Sequence, residues 1–155
     1  MNPRDEERFK ALIDRYDSHP MVQHMKDFIQ HGDTTTYDHC RRVAKLSYLI
    51  NNKLHLNADD NLLVPAALLH DFFLYDWHDL PAPTPKDFFS NHGFTHSKVA
   101  ADNAKEVFDI SDKMHDTIET HMWPLTITKV PRSREAAILC FADKCVALQE
   151  TLSGR

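Results

Sequence analysis

Apolar residues recur along this chain mostly at three- and four-residue intervals, the period of a helix with one buried face. In residues 6–16, Phe9, Leu12, Ile13 and Tyr16 form such a stripe, and Asp17-Ser18-His19-Pro20 interrupts it. A second helical segment is predicted over residues 22–29. Thr34, Thr35 and Thr36 offer an N-cap for the next helix, in which His39, Val43, Leu46 and Ile50 share one stripe. Asp59 and Asp60 then cap a helix predicted to run through Leu74. Pro65 fits there only within or just after the first turn, where its missing amide costs least. Residues 75–94 contain Pro81, Pro83, Pro85 and Gly93 and read as a loop long enough to form a lid or pocket wall. Three more helices are predicted over residues 97–108, 111–122 and 133–152, each opening at a serine able to cap it. With three glycines, and eight prolines lying mostly between periodic segments, the pattern favours helices joined by turns over hairpins. The expected fold class is all-α: a compact single-domain bundle of six to seven helices. Residues 1–33 are read as capping helices of the same domain that residues 34–155 build as a core.

Composition adds limits rather than a function. A chain of 155 residues with 42% hydrophobic content suits one domain with one core. Cys40, Cys140 and Cys145 are odd in number and lack a Cys-x-x-Cys spacing, which fits neither a disulfide framework nor a zinc ribbon and points to a reducing, cytoplasmic location. Residues 1–10 are charged, and no run approaches the roughly 20 apolar residues that span a bilayer, so neither export nor a membrane partner is expected. A net charge of -5 argues against an extended nucleic-acid surface.

Against this background His70-Asp71 stands out, because it closes the nearly all-apolar run of residues 62–69, where a core helix should be dry. Burying a charge unpaired is costly, so a compensating group is expected. His39, His96, His121 and Asp143 each recur on a helical segment of their own. One histidine on an apolar face is ordinarily a hydrogen-bonded core residue; the ordered set is what argues for a metal centre. Imidazole nitrogens and carboxylate oxygens suit divalent manganese, iron, nickel, cobalt, zinc or magnesium. Asp71, with two oxygens, has the means to bridge two ions.

The order continues through Tyr37-Asp38-His39, Ala67-Leu68-Leu69-His70-Asp71, His96-Ser97-Lys98-Val99-Ala100-Ala101, Ile118-Glu119-Thr120-His121 and Ala142-Asp143-Lys144. Over roughly residues 34–150 it resembles the HD superfamily of metal-dependent phosphohydrolases. The resemblance implies an HD-type helical bundle holding one or two divalent ions. One ion would take His39, His70, Asp71 and Asp143; the second would take His96, His121 and the other oxygen of Asp71. It further implies hydrolysis of a small phosphate ester or nucleotide, with Asp71 at the centre of the chemistry. Two ions outweigh two aspartates, so the filled site would be cationic and would draw phosphate despite the acidic chain.

Other polar residues carry alternatives. His92 rivals His96 as a ligand; failing that, it contacts substrate or caps the loop. Lys144 is a candidate phosphate contact, or else a solvated lysine. Arg41, Arg42, Lys45 and Lys98 read as exposed helix charges, and Cys40 and Cys145 as small packing residues. Trp77 and Trp123 either anchor their loops or stack on a base. The chain has no Gly-Tyr-Pro after the site, and Phe72-Phe73-Leu74-Tyr75 replaces an acidic pair. Both features point away from a resemblance to cyclic-di-GMP phosphodiesterases or guanosine-tetraphosphate hydrolases. The same ligand set also resembles mixed-valent di-iron oxygenases of the HD fold, and a non-catalytic metal-stabilised binding module is the third reading.

Overall fold

The computed structural model describes residues 1–75 and 92–153. Its helices are α1 (Pro3–Asp17), α2 (Pro20–His24), α3 (Thr36–Lys53), α4 (Asp60–Leu69), α5 (His92–Phe108), α6 (Asp112–Glu119) and α7 (Arg134–Ser153). Most of the expected lid, including Asp76, Trp77 and His78, lies outside the described residues.

Helix starts follow local chemistry. The Asn2 side chain accepts the Asp5 amide at 2.8 Å and Thr35 Oγ1 the Asp38 amide at 3.1 Å. Asp59 receives the Asn61 amide at 2.9 Å, Ser111 that of Met114 at 3.2 Å and Ser133 that of Ala136 at 3.0 Å. Each bond satisfies an amide that a first helical turn leaves without a partner.

Helix α4 is apolar on nearly every face and forms the central strut, packed against α1, α3, α6 and α7. Phe9 and Ile13 of α1, Val43 and Tyr48 of α3, Leu63 and Leu68 of α4, Ile118 of α6 and Leu139 of α7 join one core. Pro65 sits in the second turn of α4, where it has no amide to donate to the Asn61 carbonyl; Asn61 is exposed, so water can serve that oxygen. No described helix is long and apolar enough to cross a membrane.

Four boundaries differ from the expected ones. The segment predicted as a helix over residues 22–29 breaks into α2, a 3₁₀ turn (Met25–Asp27) and a short strand, β1 (Ile29–His31). β1 pairs antiparallel with β2 (Thr34–Thr35). Gly32, at φ 54°, takes the left-handed turn this hairpin needs, and the Thr36 amide closes it on the Phe28 carbonyl at 2.8 Å. Helix α4 stops at Leu69 rather than Leu74. Asn103 Nδ2 caps the Phe72 carbonyl at 2.9 Å and Leu74 adopts φ 60°, so the chain turns away instead of continuing the helix. Helix α6 stops at Glu119 rather than residue 122, with Thr120 as its C-cap donating both its amide, at 3.1 Å, and its hydroxyl, at 2.8 Å, to the Asp116 carbonyl. Helix α5 begins at His92, ahead of the expected residue 97. Gly93 is tolerated there since first-turn amides have no helical partner to lose.

Candidate metal centre

Five elements converge on Asp71. His39 projects from the second turn of α3, His96 from α5 and Asp143 from the middle of α7, all buried. His70, Asp71 and His121 lie in the turns that follow α4 and α6, not within those helices, and are buried as deeply. The two turn histidines solve their orientation alike. His70 Nδ1 meets the Ala67 carbonyl at 2.9 Å and His121 Nδ1 the Ile118 carbonyl at 2.8 Å. A carbonyl only accepts, so Nδ1 carries a proton and Nε2 is the nitrogen turned to the cluster.

The two oxygens of Asp71 face different neighbours. Oδ2 lies 3.4 Å from His70 Nε2 and 3.9 Å from His39 Nε2. Asp143 Oδ1 completes that side, 3.2 Å from His39 Nε2 and 3.6 Å from His70 Nε2. Oδ1 lies 3.4 Å from His96 Nε2 and 3.6 Å from His121 Nε2, and these two nitrogens are 3.2 Å apart. His39, His70 and Asp143 thus form one group able to hold an ion, and Asp71, His96 and His121 another, each with donor atoms within 4.8 Å of one another. Cys40, His70 and Asp71 meet the same limit, although Cys40 also belongs to the apolar core.

Divalent ions fit this donor set. His70 Nε2 and Asp71 Oδ1 are buried with no hydrogen-bond partner among the described residues. Leaving such atoms unsatisfied is costly; a cation held by His39, His70 and Asp143 would satisfy the first, and one held by Asp71, His96 and His121 the second.

Electrostatics show how the protein tolerates the cluster without an ion. Burial is the strongest influence on each group and disfavours its charged form. At Asp71 the surrounding His70, His96, His121 and His39 override it and hold the carboxyl at about 2. At Asp143 burial is again outweighed, by His39 and His70, and the carboxyl stays well below its ordinary range. Burial pulls His39 down, yet Asp143 and Glu150 hold it protonated, at about 10. His70 likewise rises well above its usual value against burial, chiefly through Asp71. His121 falls to about 3 through burial and the charge of His70. The carboxylates that favour the charged forms of His39 and His70 thus lie where they would also favour a cation, and an ion held there would compete with protons on these rings.

Two residues of this site escaped sequence analysis. Gln30 Nε2 donates to Asp71 Oδ2 at 2.7 Å, and its own oxygen receives Thr36 Oγ1 at 3.2 Å. It sits on β1, just past a segment read as helix, and no local signal marks it. Glu150 Oε2 lies 2.8 Å from His39 Nδ1, and Arg42 Nη1 donates to Glu150 Oε1 at 2.8 Å. The available signal for Glu150 was its place seven residues after Asp143, two turns along the same helix face. Arg42, expected as an exposed helix charge, is half-exposed with this buried carboxylate as its partner.

Lys144 extends its ammonium to the His121 carbonyl at 2.9 Å, against the outside of the His121 turn, and its Nζ is 4.0 Å from Asp143 Oδ2. His92 lies on the first turn of α5, and its side chain is outside the described residues. Trp123, two residues past His121, is partly exposed, and its carbonyl receives Cys140 Sγ at 3.1 Å.

The family model of the HD domain matches residues 36–148, a span that contains all six convergent donors. No curated protein and no solved structure matches the chain.

Proposed function

The chain belongs to the HD-domain family, and from that premise we propose that it is a phosphohydrolase acting on a small phosphate ester or nucleotide through two divalent ions. The observation that carries this reading is the division of Asp71, with one oxygen facing His39, His70 and Asp143 and the other facing His96 and His121. In this reading those six residues are the ligands. Two such ions supply charge to neutralise phosphate and an acidified water as nucleophile. The residues themselves do three things. Asp71 fixes the separation of the two positions. The backbone-oriented His70 and His121 present preset rings with Nε2 facing inward, so little reorientation is needed. Gln30 holds Asp71 Oδ2 in place from behind.

The test is metal analysis of protein purified without chelator, followed by a panel of phosphate esters and nucleotides, for wild type and Asp71→Ala. Two equivalents of a non-redox divalent metal with turnover, both lost in the variant, is the expected outcome. Two equivalents of iron with oxygen uptake would transfer the chain to the oxygenase reading. Metal without turnover on the whole panel would leave a binding module, and metal retained by Asp71→Ala would overturn the site itself.

A further inference from the structure

We infer that Glu150 is a positioning residue that makes the His39 side of Asp71 the tighter of two unequal metal positions. The inference rests on the metal-binding reading above. Glu150 is buried, yet it is fully engaged: Oε2 meets His39 Nδ1 and Oε1 accepts Arg42, both at 2.8 Å. Arg42 also donates to Thr34 Oγ1 at 3.3 Å, so the outer end of this relay is fixed to the hairpin. A carboxylate against Nδ1 keeps the ring proton there, aims Nε2 at Asp143 and Asp71, and makes that nitrogen a stronger donor. The other side has no equivalent for His121, whose Nδ1 meets the neutral Ile118 carbonyl. Among the described residues, carboxylates are divided unequally as well. Asp143, Asp71 Oδ2 and Glu150 all lie on the His39 side, whereas Asp71 Oδ1 faces His96 and His121. More negative charge and a more firmly held imidazole both favour the first position.

Titration of the metal-stripped full chain with Co(II), followed by visible absorption and by equilibrium dialysis, tests this. Wild type is expected to fill in two resolved steps, with His121→Ala weakening the second. Glu150→Gln, which keeps a hydrogen-bonding oxygen but removes the charge, is expected to weaken the first step 10- to 100-fold, on the order found for such supporting carboxylates, while moving the second less than about threefold. Arg42→Met is expected to weaken the same step by less. Urea unfolding of each metal-free variant reports whether the fold persists. If Glu150→Gln lowers only the unfolding midpoint, or weakens both steps equally, Glu150 is structural and the inference fails with the metal site intact. If wild type takes up no Co(II), the metal reading fails first and this one with it.

Discussion

His39, His96 and Asp143 reach the cluster from within helices, whereas His70, Asp71 and His121 reach it from turns just past helix ends. The two kinds of donor are held differently. The turn histidines bond Nδ1 to a carbonyl three residues earlier, so their orientation is a by-product of how α4 and α6 stop. An interior helical carbonyl is already engaged by the i+4 amide, so His39 recruits a carboxylate 111 positions away. Local termination orients the turn histidines, and long-range packing of α7 on α3 orients His39.

The change with the largest expected effect is Asp71→Ala, since the two oxygens of Asp71 face the two groups. Phosphate-ester turnover is expected to fall at least about 10³-fold, equal to about 4 kcal/mol of barrier, with circular dichroism still helical. Turnover within tenfold of wild type would sink the shared-carboxylate reading.

Metal-free stability separates the two kinds of donor next. His39→Ala removes the cation that joins buried Asp143 and Glu150, leaving only His70 beside the first and Arg42 beside the second, and is expected to cost about 3–5 kcal/mol. His121 is neutral in the ion-free protein, so His121→Ala is expected to cost less, about 1–3 kcal/mol, mostly for lost packing and one carbonyl bond. Urea unfolding in chelator measures both, and equal costs would erase the distinction.

The same contrast governs what the sequence reveals. The stripes of α1 and α3 and the caps that start α3 and α7 are local, and His39, His70, Asp71, His96, His121 and Asp143 stand out in the chain only as an ordered set, not one by one. Helix ends were less legible. Leu74 and Met122 belong to apolar runs that look helical, and past the end of α4 it is the Asn103 side chain, from another helix, that takes up the Phe72 carbonyl. Gln30 was hidden for a related reason, because its strand exists through pairing with Thr34 and Thr35 on the far side of Gly32. Glu150 resembled an ordinary charge near a helix terminus, and only the approach of α3 gives it His39 and Arg42 as partners.

The opposite end of α7 offers a control away from the cluster. Buried Glu135 accepts the Asp59 amide at 2.9 Å and pairs with Lys113 at 3.1 Å, tying α7 to the starts of α4 and α6. Burial raises its carboxyl, but the Asp59 amide and Lys113 outweigh this and lower it below the ordinary 4.5. A lowered folded-state value means the contribution is complete above 4.5 and fades as pH falls through the lower value. Glu135→Gln is therefore expected to cost about 1–2 kcal/mol at pH 7, with the gap to wild type narrowing in acid and both Co(II) steps unchanged. Unfolding midpoints at the two pH values check the sign.

Lys144→Met carries the smallest expected effect and bears most directly on a turn donor. Its ammonium holds the His121 carbonyl, the Cys140 carbonyl at 3.4 Å and Cys140 Sγ at 3.3 Å, while remaining partly exposed. Solvent screening keeps such a bond near 1 kcal/mol or less, about a fivefold change in an equilibrium constant. If Lys144 steadies the turn that presents His121, its loss weakens the second Co(II) step by up to about that factor and leaves KM for a phosphate ester nearly unchanged. A lysine that contacts phosphate gives the reverse pattern, a raised KM with both metal steps intact. The two measurements on one variant therefore decide whether Lys144 serves the helix-end donor or the substrate.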